Sequence, residues 1–152
     1  MNIRVGIGFD SHRFGADRPL LLGGVEIPYE RGLDGHSDAD VLTHAVIDAL
    51  LGACGRGDIG ARFPDDDERW AGADSIAMLE TVVAELGAEP VNVDATVICE
   101  EPKLRPHNER IGARLSEVIG APAHVKATTS ERMGALGRGE GIAAMAVALI
   151  SG

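Results

Sequence analysis

Aromatic residues make up only 3% of this 152-residue chain: one Trp, one Tyr and three Phe. A core of stacked rings is thereby excluded, so aliphatic side chains and alanine must do the packing. Cysteine is equally scarce. Cys54 and Cys99 stand far apart, each in an apolar run, and read as buried, reduced thiols of a cytoplasmic protein. No apolar run is long enough to cross a bilayer. No charged segment followed by a long apolar stretch opens the sequence, so a secretory signal is not expected. Positive charge is in deficit, with 14 Lys and Arg against 24 Asp and Glu, for a formal net charge of −10. That balance argues against a nucleic-acid backbone or an anionic membrane as partner. A small anionic substrate stays compatible if bound cations, a few Lys and Arg, and backbone N–H groups meet its charge locally.

What is present is a 45% hydrophobic chain of a length that reads as one domain over residues 1–152. A chain of this size buries roughly 68–70% of its unfolded surface. From Asn2 to Phe9 the sequence alternates, with Ile3, Val5, Ile7 and Phe9 on one face and Arg4, Gly6 and Gly8 on the other. This predicts a strand whose apolar face meets the core and whose glycine face leaves room for a bound molecule. Leu20–Ile27, broken by Gly23-Gly24, predicts a further strand in antiparallel association. Ser37 is a good N-cap for a helix reaching about Cys54, striped by Val41, Leu42, Ala45, Val46, Ala49 and Leu50. Residues 55–67 read as an irregular acidic segment. A second helix is expected over Ser75–Leu86, a strand over Val91–Glu100, and a third helix from Pro102 in its first turn to Ile119. Ala123–Thr129 and Ile142–Ile150 complete the strands. The sum is an α/β domain with a mixed sheet, helices on one face and the other face partly free. A homo-oligomer packing sheet faces around an axis would cover that free face.

The chemistry starts at Gly8-Phe9-Asp10-Ser11-His12. Asp10 and His12, two apart on a strand, leave the same face. His44, from the separate helix, closes the set from the side. One carboxylate and two imidazoles make a three-ligand site for a catalytic divalent metal with an open fourth position. Zn²⁺ suits the imidazole content, and Mn²⁺ or Fe²⁺ also fits. Asp48, one helical turn after His44, is expected to accept its second ring N–H. His36 either binds an anion with the N–H groups of the same helix or is a solvent-exposed loop residue.

Lys126-Ala127-Thr128-Thr129-Ser130-Glu131 follows a strand and leads into a glycine-rich loop, Gly134–Gly141. Consecutive hydroxyl residues offer O–H and N–H donors to phosphate oxygens, Glu131 suits a harder cation such as Mg²⁺, and Arg138 suits a phosphate. The alternative is a long hairpin loop, since the glycines form no Walker motif. Nothing pairs a nucleophile with a base, so no covalent enzyme intermediate is expected.

Taken in order, Gly8-Phe9-Asp10-Ser11-His12, His36-Ser37-Asp38-Ala39-Asp40-Val41, Gly57-Asp58-Ile59-Gly60, Phe63-Pro64-Asp65, the Lys126–Glu131 block and Gly137-Arg138-Gly139-Glu140-Gly141 resemble the 2-C-methyl-D-erythritol 2,4-cyclodiphosphate synthase family over essentially the whole chain. The resemblance implies an enzyme of the non-mevalonate isoprenoid route. It would convert 4-diphosphocytidyl-2-C-methyl-D-erythritol 2-phosphate into the cyclic diphosphate and CMP. It also implies a homotrimer with sheets packed around a threefold axis, active sites between subunits, and both Zn²⁺ (or another divalent transition metal) and Mg²⁺ or Mn²⁺. By resemblance, Asp10, His12 and His44 hold the first ion and Glu131 the second, while His36 and Thr129 position phosphates and stabilise the transition state. Asp10, His12, His36, Ser37, Asp58, Ile59, Gly60, Phe63, Pro64, Asp65, Asp66 and Asp67 match segments around the methylerythritol phosphate. Cys99, Lys103, Arg105, Thr128, Thr129, Ser130, Glu131 and Arg138 match segments around the cytidine diphosphate. The position of Ala135 is often aromatic in the family, near an axial cavity able to hold an isoprenoid diphosphate.

Two other readings fit the residues: a metal-dependent hydrolase of a nucleoside diphosphate ester, and a non-catalytic, metal-stabilised trimer that binds isoprenoid diphosphates.

Overall fold

The computed structural model describes residues 2–15 and 17–152. Strand β1 runs Ile3–Arg13, β2 Leu20–Leu22 and β3 Val25–Ile27; helix α1 runs Val41–Ala53, α2 Ile59–Arg62 and α3 Ser75–Glu85. Then come β4 (Glu89–Ile98), α4 (Asn108–Ile119), β5 (Ala123–Thr128), the single-turn α5 (Gly134–Gly137) and β6 (Gly141–Ser151). The main sheet has the order β1-β6-β4-β5. β6 is antiparallel to both β1 and β4, while β4 and β5 are parallel, joined through α4. The expected mixed α/β sheet is therefore present.

Helix α1 is the centre of the molecule. Every residue in it except Asp48 and Gly52 is buried, which marks a helix covered on all sides rather than a surface helix with one stripe. It lies on a floor of small residues, where Gly6 pairs with Ala148 and Gly8 with Ala146. A Cβ on Gly6 would stand 2.0 Å from the Ala49 carbonyl oxygen. The glycine face of β1 thus makes room for a helix, not for a ligand. The apolar alternation points the other way: Ile3, Val5, Ile7 and Phe9 are 47–65% exposed, and Phe9 and Ile7 lie beside Met145 and Val147 of β6. Alternation correctly groups these residues on one face, but that face is the free one.

Asp40, not Ser37, caps α1, accepting from Thr43 N at 3.0 Å. The same fully buried carboxylate accepts from Gly23 N at 2.9 Å and Gly24 N at 2.7 Å. Gly23 and Gly24 both have positive φ, which the tight turn of a two-residue hairpin demands. What reads as one interrupted strand is therefore the hairpin β2–β3, pinned to the start of α1. Burial pushes the Asp40 carboxyl up, against the pull of these three N–H donors.

Two further boundaries differ from expectation. Pro102 lies outside any helix: a 3₁₀ turn at Arg105–His107 precedes α4. Ile111, Leu115 and Ile119 bury one face of that helix, and Gly120 ends it in the left-handed conformation. The segment 55–67 is not wholly irregular, since Asp58 caps the short α2 by accepting from Ala61 N at 2.8 Å.

Candidate metal centre and cavities

Asp10 and His12 lie on β1 itself, beside Ala144 and Ile142 of β6, on the face that carries α1. His44 lies one turn into α1. The strand–helix contact therefore brings a carboxylate and two rings together, with one ligand atom of each within 4.8 Å of the others. Asp10 Oδ2 is 2.9 Å from His12 Nε2 and 3.0 Å from His44 Nδ1, and the two ring nitrogens are 3.3 Å apart.

The His12 ring is oriented by backbone. Its Nδ1 lies 2.8 Å from the carbonyl oxygen of Asp34, which can only accept, so Nδ1 carries the proton and donates it. In the neutral ring the lone pair is then on Nε2, aimed at Asp10 and His44. Acceptor atoms facing one another at these distances suit a shared cation. The charge balance agrees. Burial would raise the Asp10 carboxyl, yet with both rings protonated the hydrogen bonds and charges of His12 and His44 hold it at about 2. Burial would lower His12, but Asp10 outweighs this and raises it. The set attracts positive charge, and an oxygen–nitrogen–nitrogen donor set fits a divalent transition metal.

The expected partnership of His44 with Asp48 does not form. Asp48 accepts from Ile59 N at 3.1 Å, tying α1 to α2. His44 Nε2 instead meets the hydroxyls of Ser75 at 2.8 Å and Ser37 at 3.0 Å. Ser75 carries no sequence signal for this role, because it arrives from α3.

A cavity of about 360 Å³ opens on the triad. His36, Ser37, Ile59, Gly60, Phe63 and Asp65 line it, together with Trp70 and Met78, which sequence reasoning did not single out. Phe63 and Trp70 meet edge to face at 4.8 Å between centroids and give the cavity an apolar wall. His36 Nε2 donates to the Asp67 carbonyl at 3.2 Å. The Asp67 carboxylate is paired with Arg69. Pro64 and Asp66 belong to the same loop without lining the cavity.

Lys103, Thr129, Glu131 and Arg138 line a second cavity, about 590 Å³, with Phe14, Tyr29 and Arg31. Arg31 stacks 4.5 Å above the Phe14 ring, and Arg138 is paired with Glu140 at 2.8 Å. Thr129 Oγ1 accepts from Glu131 N at 3.2 Å, and Ser130 N donates to Glu100 Oε1 at 2.8 Å. The Thr128 hydroxyl turns to the Thr129 carbonyl at 3.4 Å. Cys99 is buried, with Sγ donating to the Glu101 carbonyl at 3.0 Å. Arg105 lies apart from this group, on a third cavity between α4 and β5. Among the described residues, neither the triad cavity nor the Thr129–Glu131 cavity shares a lining residue with the other.

Comparison with known proteins follows the same lines. The model of the YgbB family matches residues 3–151. The chain is 55% identical over 154 residues to the 2-C-methyl-D-erythritol 2,4-cyclodiphosphate synthase of Synechococcus sp. (strain JA-2-3B'a(2-13)), covering 97% of this chain and 98% of that one. It is 57% identical to the synthase of Methylobacillus flagellatus, with 97% and 96% covered. Among solved structures, the bifunctional IspDF from Campylobacter jejuni superposes with a TM-score of 0.95 at 38% identity. That match covers 99% of this chain but 42% of the longer one. A CDP-bound 2C-methyl-D-erythritol-2,4-cyclodiphosphate synthase gives a TM-score of 0.87 at 38% identity, with 97% and 100% covered.

Proposed function

The chain belongs to the YgbB family, the 2-C-methyl-D-erythritol 2,4-cyclodiphosphate synthases, and from that membership we propose how its two cavities share one reaction. The activity is that of a lyase that closes a cyclic diphosphate in isoprenoid biosynthesis. Its substrate in this reading is 4-diphosphocytidyl-2-C-methyl-D-erythritol 2-phosphate. The 2-phosphate oxygen attacks the β-phosphorus of the same molecule, a new P–O–P bond closes the ring, and the bond to the α-phosphate breaks to release CMP. The observation that carries the proposal is the convergence of Asp10, His12 and His44 at the mouth of a cavity with one apolar wall.

Asp10, His12 and His44 would hold Zn²⁺ or another divalent transition metal, and Glu131 would hold Mg²⁺ or Mn²⁺. Such cations, when bound, neutralise phosphate charge, which an acidic chain requires before two phosphate groups approach each other. The protein's own task is orientation, because the nucleophile belongs to the substrate. Holding reacting groups in line contributes up to roughly 7–11 kcal/mol in well-aligned cases. Phe63, Ile59 and Gly60 would pack the methylerythritol, with Asp58 and residues 64–67 shaping its rim. His36, steadied by the Asp67 carbonyl, and Ser37 would direct a phosphate. Thr129 Oγ1 accepts from Glu131 N, so its own proton is left to donate to a phosphate oxygen as charge develops. Lys103 and Arg138 would meet the diphosphate, and Cys99, Thr128 and Ser130 would shape the cytidine side.

Among the described residues the two cavities of a single chain share no lining residue, and in this reading assembly would let one molecule reach both. The face carrying Ile3, Val5, Ile7 and Phe9 with Met145 and Val147 is a contiguous apolar surface of the kind that marks an interface. A homotrimer packing these faces around a threefold axis would cover it and set the triad of one subunit beside Thr129–Glu131 of the next. No helix among the described residues is long and apolar enough to cross a membrane. A cytoplasmic setting belongs to the same reading, supported by the free thiols of Cys54 and Cys99.

The deciding experiment incubates the protein with the cytidylylated 2-phosphate, Mg²⁺ and Zn²⁺ and follows the products by phosphorus NMR. CMP with the eight-membered cyclic diphosphate is expected. CMP with open-chain phosphates alone would instead establish a hydrolase.

A further inference from the structure

Asp38, Ser75 and His44 form a chain of hydrogen bonds with no assigned role in the reaction. Ser75 is fully buried at the first position of α3. Its backbone N–H donates to Asp38 Oδ2 at 2.9 Å, and its hydroxyl donates to Asp38 Oδ1. A hydroxyl has one proton to give. With that proton committed to a carboxylate, Ser75 Oγ offers His44 lone pairs only. His44 Nε2 lies 2.8 Å from this oxygen, so Nε2 is the nitrogen that must bring a proton. Ser37 Oγ, 3.0 Å from the same nitrogen, is a further acceptor. A neutral imidazole has one N–H, so Nδ1 is left bare where it faces Asp10 Oδ2 at 3.0 Å.

We propose that Ser75, polarised by Asp38, is a positioning residue that fixes the tautomer of His44 and so turns Nδ1 toward the cation as a donor. This rests on the reading of Asp10, His12 and His44 as a metal site. The two rings are then set by different means. His12 gives its proton to the neutral carbonyl of Asp34, whereas His44 gives its proton to a hydroxyl backed by a carboxylate. The second arrangement fixes the orientation of the ring through an acceptor that is itself held by a carboxylate.

A purely structural role for the Ser75 hydroxyl is separable, because α3 is already capped. Asp74 accepts from Ile76 N at 2.9 Å and Ala77 N at 3.4 Å. Alanine at position 75 therefore keeps the cap and is a good helix residue.

The test compares wild type and Ser75→Ala, both stripped of metal, by titrating Zn²⁺ against a chromophoric chelator and by recording thermal midpoints. The expected result is zinc affinity weakened about 10–100-fold, with the metal-free midpoint nearly unchanged. In nitrogen NMR of the metal-free wild type at alkaline pH, the His44 proton is expected on Nε2. Zinc affinity of Ser75→Ala within about twofold of wild type overturns the relay, as does a wild-type proton on Nδ1. The NMR result alone decides if Ser75→Ala fails to fold. A wild type that takes up no zinc overturns the metal site itself, and so is told apart from failure of the relay.

Discussion

Gly8 lies so close to α1 that a Cβ on it would stand 1.9 Å from the carbonyl oxygen of Ala45. Asp10 is two residues further along the strand, and His44 is the residue before Ala45. The contact that sets strand against helix therefore also sets Asp10 against His44 at 3.0 Å. That oxygen and Ala49 N, 2.8 Å from the same Cβ, are backbone atoms, which cannot swing aside as a side chain can. Gly8→Ala is expected to cost about 3 kcal/mol or more and to abolish zinc binding. Urea unfolding with metal analysis checks it, and wild-type stability in the variant would contradict the packing argument.

The donor types were legible in the sequence, because Asp10 and His12 share a strand face and His44 lies on a predicted helix, while their meeting depends on α1 packing against β1. Which face of β1 meets the core was not legible. Alternation groups Ile3, Val5, Ile7 and Phe9, yet the same pattern serves a core and an interface equally well. Glycines at 6 and 8 read as space for a ligand, while the occupant of that space, α1, is more than thirty residues away in sequence. The partner of His44 failed for a similar reason. Helical spacing points to Asp48, but Ile59 N takes that carboxylate, and the hydroxyl that serves the ring comes from α3. Local periodicity reports neighbours along one element and is silent on which distant element arrives.

His44→Ala removes a nitrogen donor and leaves the hydroxyls of Ser37 and Ser75 facing a void. The buried groups lose a partner at about 1–3 kcal/mol, which a core centred on α1 should survive. The variant is expected to retain its circular dichroism while losing bound zinc and nearly all turnover. Full turnover would refute the role given to this ring.

Lys126 Nζ lies 2.7 Å from both carboxylate oxygens of Asp94 on the free face of the sheet. The hydrogen bond from Lys126 holds the Asp94 carboxyl below its ordinary value, against a smaller effect of burial, with His124 adding to the pull. A carboxyl depressed in the folded state stabilises the fold above its unfolded value, near 3.9. It loses that contribution as pH falls through the folded value. Asp94 is half exposed, so the gain is about 1 kcal/mol at most. Lys126→Met is expected to lower the thermal midpoint at neutral pH, with the difference closing as the solution is acidified through that range. A difference independent of pH would contradict this.

Cys99 sits beside the proposed nucleotide cavity and is nonetheless inert chemically. Burial, with the charge of Glu101 adding to it, pushes the thiol up to about 12, and only the thiolate is a competent nucleophile. An alkylating reagent at mildly alkaline pH should leave Cys99 unmodified until the protein is unfolded, as read by peptide mass spectrometry. Rapid native labelling would show that the thiol is not shielded.

Glu100 holds the loop that carries Thr129 and Glu131. Its Oε1 accepts from Ser130 N at 2.8 Å and from Arg132 N at 3.3 Å. Between and beside those bonds the chain is strained, with Glu131 at φ 52° and Arg132 at φ 60°, a region costing roughly 1–2 kcal/mol for a residue with a Cβ. The two bonds offset that cost and fix where the Glu131 carboxylate and the Thr129 hydroxyl point. Glu100→Ala should let the loop relax and lower kcat/KM about tenfold, the equivalent of about one hydrogen bond lost. Glu100→Gln keeps an acceptor oxygen in place and should recover most of the loss. If the glutamine variant is as impaired as the alanine variant, the negative charge of Glu100, rather than its grip on two backbone N–H groups, is what the loop requires.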